Sequence, residues 1–166
     1  IVQEACYQCC SNSDINHTQR IHVVIGSNQS ACQIVSLVVS QQTGRFNSFI
    51  TQFADGFQAT TLEMYKWLLY PVITASTDQL KAGLKYNFIR ESLSSKHPQG
   101  AELNPGNITQ ALQSTAALQV KKEVKPIVLD YDQTNLRLRV VDSSFLIWLE
   151  KQDRNELLSL ASLPTV

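Results

Sequence analysis

From Ala31 onward the apolar residues return every third or fourth position: Ile34, Val35 and Val38, then Phe46, Phe49, Ile50, Phe53 and Phe57. That spacing is one face of a helix, so most of 31 to 69 is expected to be helical. Gly44 and Gly56 each cost a helix interior about 1 kcal/mol, which predicts a break or bend near either. Leu62, Tyr65, Leu68 and Leu69 carry the face on to Pro71, whose ring and missing N–H predict a helix end near Tyr70. A further helix is expected from Asp78 as its cap, with Leu80, Leu84, Phe88 and Leu93 along one side. Residues 1 to 30 show no such period, only a strand-like run from Ile21 to Ile25, and read as an irregular head.

Turn formers crowd 96 to 106, where His97-Pro98, Gly100 and Asn104-Pro105-Gly106 predict a loop and the best domain boundary. Beyond it Asn107 or Thr109 can cap a helix through Leu112, Ala116 and Leu118 to about Glu123, which Pro126 stops. The period then changes to two: Ile127 to Tyr131 reads as a strand, Asp132 to Asn135 as a turn, and Leu136, Leu138 and Val140 alternate with Arg137, Arg139 and Val141. An antiparallel hairpin over 127 to 141 follows, its arginine face in water. Ser143 or Ser144 can cap a helix through Phe145, Trp148, Leu149 and Gln152, and Asn155 to Val166 forms a last helix or extended tail. The fold class expected is α+β and predominantly helical. It comprises a head at 1–30, a helical region at 31–95, a linker at 96–106 and a small α-β-β-α unit at 107–166.

Composition changes this picture little. The 166 residues are 43% hydrophobic and 17% charged, so the chain has a core to bury. Lys plus Arg equals Asp plus Glu at 14 each, which leaves no surplus to draw the chain to phosphate backbones, so no nucleic acid is expected as partner. The densest basic stretch, Lys121, Lys122 and Lys125, is broken by Glu123 and reads as a solvated helix end. Ile34 to Val39 falls far short of the ~20 residues of a membrane span, and no transmembrane segment is expected. Ile1 is no initiator methionine, so the chain is read as processed or cut from something longer.

Cys6, Cys9, Cys10 and Cys32 are the most distinctive local feature, crowded into a polar segment with little core of its own. Disulfides are the leading reading, with connectivity open and a Cys9–Cys10 bridge disfavoured by strain. The competing reading is zinc, since Cys6 and Cys9 have a knuckle's spacing and His17, His22 and Cys32 could complete a tetrahedron, but a second paired half is missing. Sequons at Asn16-His17-Thr18, Asn28-Gln29-Ser30 and Asn107-Ile108-Thr109 permit glycans in a eukaryotic secretory setting. Together these place the chain outside the cytoplasm, periplasmic or secreted.

Asp130-Tyr131-Asp132-Gln133-Thr134, after the apolar run Ile127 to Leu129, resembles the first motif of haloacid-dehalogenase-type phosphatases. The resemblance implies Asp130 as nucleophile and Asp132 as acid and base. The family's glycine is Gln133 in this chain, and its later metal acids have no room in the residues that follow. A polar hairpin turn explains the same letters. His17, His22 and His97 show no nucleophile-base-acid spacing and read as surface residues. No phosphate loop, dinucleotide fingerprint or two-His helix motif occurs, so no cofactor and no enzyme is expected.

The aromatic series Phe46, Phe49, Phe53, Phe57, Tyr65 and Trp67 reads as core, with Trp67 the exception. Trp67 and Tyr70, just before Pro71, and Phe145 and Trp148 are the candidates for contact with a partner. From Asn107 the order helix, strand, strand, helix, with a strand from Leu163, looks like a ferredoxin-like half. It resembles small periplasmic domains of bacterial secretion and pilus assembly proteins. The function expected is a non-enzymatic structural or adaptor component of an extracytoplasmic assembly, for instance a bacterial secretion or conjugation machine, oligomeric or docked to protein partners. A secreted ligand-like or receptor-like binding module comes second, and a phosphohydrolase using Asp130 and Asp132 last.

Overall fold

The structure, a computed structural model, describes residues 31–165. The chain divides at Gly44 and Arg45 into two units, each taken by itself. In the first, α1 (Ala31–Gln41) is closed at its end by the Gln42 N–H donating to Val39 O. Helix α2 (Thr43–Asp55) opens the second unit from Arg45 on and buries Phe46, Phe49, Ile50 and Phe53, the face its period predicts. The break between them falls at Gln42. Gly44 stays inside α2, and Gly56, at φ +64°, supplies the left-handed residue that ends it.

Helix α3 (Met64–Thr74) is the most deeply buried element, with Trp67 to Ile73 all inside. Here the sequence expectation fails, because Pro71 lies within the helix instead of ending it near Tyr70. Its ring removes the bond that Trp67 O would accept from residue 71, yet the chain has only three more residues to hold. Thr74 Oγ1 donates to Tyr70 O at 2.8 Å, and Arg154 donates to Ile73 O at 2.8 Å, so the last carbonyls of the helix are satisfied by side chains.

The single helix expected over 78–93 is two. Ser76 caps α4 (Thr77–Ala82) in a reciprocal capping box with Gln79, and Asp78 lies in its first turn. Gly83, at φ +81°, then turns the chain into β1 (Leu84–Lys85) before α5 (Tyr86–Lys96). A Cβ on Gly83 would lie 3.2 Å from Arg139 Cγ, so a bare backbone lets the neighbouring strand approach.

A 3₁₀ turn at Gly100–Glu102 links α5 to α6 (Pro105–Gln113), whose cap is Asn104 with Pro105 at the first helical position, in place of Asn107 or Thr109. The turn-rich stretch 96–106 lies inside the second unit. Helix α7 (Thr115–Lys121) ends in a Schellman motif: Val124 N–H donates to Gln119 O and Glu123 N–H to Val120 O, with Glu123 left-handed at φ +58°.

The expected hairpin is present as β2 (Leu129–Asp132) and β3 (Arg137–Val140), antiparallel, with Asp130 opposite Arg139 and Tyr131 opposite Leu138. The sheet has a third strand that period alone missed: β1 pairs with β3, so the order is β1-β3-β2. Asp142, not a serine, caps α8 (Ser143–Glu150), and Asp153 caps α9 (Arg154–Leu160). No strand starts at Leu163. Its N–H donates to Leu158 O while Ser162 is left-handed, a second Schellman motif closing α9, and the ferredoxin-like half is thereby replaced by a sheet completed from upstream. The fold is mostly helical with one small antiparallel sheet.

Candidate functional site

Of the two acids at the hairpin, Asp132 serves the turn. Asp132 Oδ1 accepts from the N–H groups of Thr134 and Asn135 at 3.1 and 3.0 Å, and Oδ2 accepts from Asn135 Nδ2 at 2.8 Å. These bonds, those from Asn135 foremost, hold its carboxyl below the usual carboxylate range, with Arg139 at 3.2 Å adding to them. Asp130 is half-buried and faces Arg139 across the ladder. Among the described residues no three His, Cys, Asp or Glu side chains are placed to hold a metal ion together.

His97, read from sequence as a loop residue at the surface, is buried. Its Nδ1 accepts from Gln99 N–H and its Nε2 lies 2.9 Å from Leu62 O, which assigns the proton to Nε2. The ring rests 4.9 Å from that of Trp67. It ties the segment before α3 to the turn after α5.

The four aromatic candidates for partner contact all lie inside. Phe145 and Trp148 are both 0% exposed and pack on Phe46 at 5.3 and 5.1 Å, while Trp67 and Tyr70 are 6% and 5% exposed. For Phe145 and Trp148 the reason is α2: its aromatic stripe needs a facing surface, and α8 supplies it. Cys6, Cys9 and Cys10, with His17, His22, Asn16 and Asn28, fall outside the described residues, and of Cys32 only its helical backbone is described.

Two polar centres went unseen in the sequence. Gln119 is 0% exposed and all its bonds are made: Oε1 accepts from Val128 and Leu129 N–H, and Nε2 donates to Leu129 O and Thr115 O. No local signal separates it from the many surface glutamines of this chain. The second centre is Asp142, which caps α8 through Ser144 N–H at 3.0 Å, accepts from the Ser144 hydroxyl at 2.7 Å and pairs with Arg45, itself bonded to Pro126 O. Burial alone would raise its pKa, but the Ser144 and Arg45 bonds outweigh burial and hold it down.

The open surface of interest is a cleft of about 410 Å³ between the 57–65 segment and α6. Phe57, Leu62, Met64, Tyr65 and Ala111 give it an apolar lining, and Gln58, Thr60, Thr61, Asn107 and Gln110 rim it with hydroxyls and amides. Asn107, the sequon residue of this region, is half-buried in the first turn of α6.

No protein-family model, no curated protein sequence and no solved structure matches this chain.

Proposed function

We propose that the chain is a non-catalytic structural or adaptor component that binds protein partners, with the 45–165 unit as its binding module. What carries this reading is where the chemistry-bearing side chains spend their bonds. Both ring nitrogens of His97, the Asp132 carboxylate and the whole Gln119 amide hold main chain in place.

Topology supports it. From α4 to β3 the order is helix, strand, three helices, strand, strand, with the short first strand bonded to the last. With α7 as an additional helix, that order is similar to a winged helix-turn-helix module, with α5 and α6 as the helix pair and 133–136 as the wing. Such a pair presents its second helix to a macromolecule, and a fold of this kind does not by itself choose which. Pro105 to Gln113 carries no charge, whereas grip on nucleic acid depends on several lysines or arginines meeting phosphates. A protein partner fits better. We place the assembly outside the cytoplasm, on the four cysteines crowded into the polar head, as in a bacterial secretion or conjugation machine.

A second reading, a duplex DNA binder, is favoured by the same topology together with Asn107 and Gln110 on α6, since carboxamides match adenine edges. Light scattering across protein concentrations, beside anisotropy with a labelled duplex at two salt levels, decides. Concentration-dependent assembly with no duplex binding is the expected result. Salt-sensitive duplex binding by a strict monomer would transfer the function to the second reading, and metal-dependent phosphatase activity lost in Asp130→Asn would overturn both.

A further inference from the structure

His97, the residue at which α5 ends, is buried and carries the next turn on its own atoms. Its Nδ1 accepts the Gln99 N–H at 2.9 Å and its carbonyl accepts the Gly100 N–H at 2.9 Å. The start of the 3₁₀ turn thus hangs on one side chain and one peptide group. From the other edge of the ring Nε2–H donates to Leu62 O at 2.9 Å. That turn is the link between α5 and α6, and Asn104, the cap of α6, lies just beyond it.

The two nitrogens answer a proton differently. A neutral imidazole has one N–H and one lone pair, whereas the imidazolium has two N–H groups and no lone pair. The proton at Nε2 is present in both forms, so the Leu62 bond survives protonation. At Nδ1 an added proton points at the Gln99 N–H, and two donors at hydrogen-bond distance repel. The elements packed on the ring supply few charges to offset the new one. The segment before α3 brings Glu63, which is paired with Lys66 at 2.7 Å, and α3 brings Trp67 and Tyr70. Helix α5 brings Lys96, whose Nζ lies 5.8 Å from the Tyr70 ring centre, and the turn brings Glu102. Among the described residues no carboxylate bonds the ring. A buried charge without a partner is costly, and opening the turn to water relieves that cost.

We infer that His97 is a proton-operated catch on the α5–α6 turn: neutral, it ties the turn to the segment before α3; protonated, it keeps Leu62 and lets the turn go. Imidazole is the side chain that ordinarily changes charge between about pH 5 and 8, and His97 is the one histidine among the described residues. The helix pair is then held in one arrangement at neutral pH and gains freedom in acid. This device is independent of what the chain binds, so its failure leaves the adaptor reading standing.

NMR of the isotopically labelled full chain, titrated from pH 8 to pH 5, tests it. The Gln99 and Gly100 amide signals should move with the same midpoint as the His97 ring nitrogens. Protection of the Gln99 N–H from hydrogen exchange, corrected for the intrinsic rate, should fall about tenfold in acid, the worth of one hydrogen bond. The Glu63 N–H, which shares its peptide group with Leu62 O, should keep its protection. His97→Asn puts an acceptor where Nδ1 stands, able to take the N–H two residues on, with no proton to gain in this range. In that variant the Gln99 and Gly100 amides should no longer respond to pH. A ring that gains its proton while those amides hold still, or one that gains none down to pH 5, overturns the inference. So does equal loosening at Glu63, or a response that persists in His97→Asn. Should the variant not fold, the wild-type titration alone decides.

Discussion

Gln119 and Leu129 are joined twice: the side-chain amide donates to the Leu129 carbonyl at 2.6 Å and its oxygen accepts the Leu129 N–H at 3.1 Å. One glutamine thus imitates the main chain of a neighbouring strand. Its replacement by leucine keeps the volume and strands the Val128 and Leu129 groups in a dry interior. Each buried group left unmatched costs about 1–3 kcal/mol, so Gln119→Leu should lose at least about 3 kcal/mol in urea unfolding. A loss under 1 kcal/mol would show that water reaches the site.

Gly100 differs from Gly44 in what surrounds it. A Cβ at Gly100 would sit 2.2 Å from Ser94 O, a main-chain atom that cannot swing aside. Gly100→Ala should therefore force the 3₁₀ turn off α5 and lower the melting temperature by several degrees, as a change of roughly 1–3 kcal/mol would. Gly44→Ala, inside a helix, should raise stability by about 0.5–1 kcal/mol. Paired thermal melts compare the two.

Acid should act through Asp142. Burial raises its pKa, but Ser144 and Arg45 bind the ionised form and the net displacement is downward. A carboxyl so displaced adds stability above its unfolded value near 3.8 and surrenders it as pH falls through the folded one. Urea midpoints measured from pH 6 to pH 2 should drop in the wild type across that window. In Asp142→Asn they should begin lower and change less.

Alkali should act through Tyr131. Burial pushes its phenol above the ordinary 10.0, and Tyr86 and Asp132 add to the shift. The neutral phenol is thus favoured by the fold, a contribution whole below pH 10 and lost as pH rises through the folded value. Among the described residues the hydroxyl has no hydrogen-bond partner, so Tyr131→Phe should change stability at pH 7 by less than about 1 kcal/mol. It should also shift the onset of alkaline unfolding upward, read by circular dichroism between pH 9 and pH 12. An unchanged onset would assign that unfolding to Tyr65, which burial also shifts upward.

Period carried the helices and the hairpin because burial of one face leaves a repeat: Phe46, Phe49, Ile50 and Phe53 are inside for the reason that they recur. Terminators were less legible. Pro71 remains in α3 because it sits one turn from the helix end, where Thr74 and Arg154 bond the carbonyls of Tyr70 and Ile73, and neither residue announces that duty in the sequence. β1 is two residues long, too short for any repeat, and only its pairing with Arg137 and Leu138 makes it a strand. The partner aromatics were misplaced because exposure depends on the facing element. The cleft is legible least of all, since Leu62 and Gln110 lie far apart along the chain and come together only in the fold, where α3 packs on α6.

The small sheet is fenced on both flanks. β1 ends after two residues, and on the opposite flank the Gln119 amide occupies the place where an added strand would begin pairing with Leu129. What remains, Asp130 to Asp132, is too short and too acidic to template a ladder. A bare flank would risk growth into fibres through it. With the flank shut, polymerisation by adding strands to this sheet is denied a starting point.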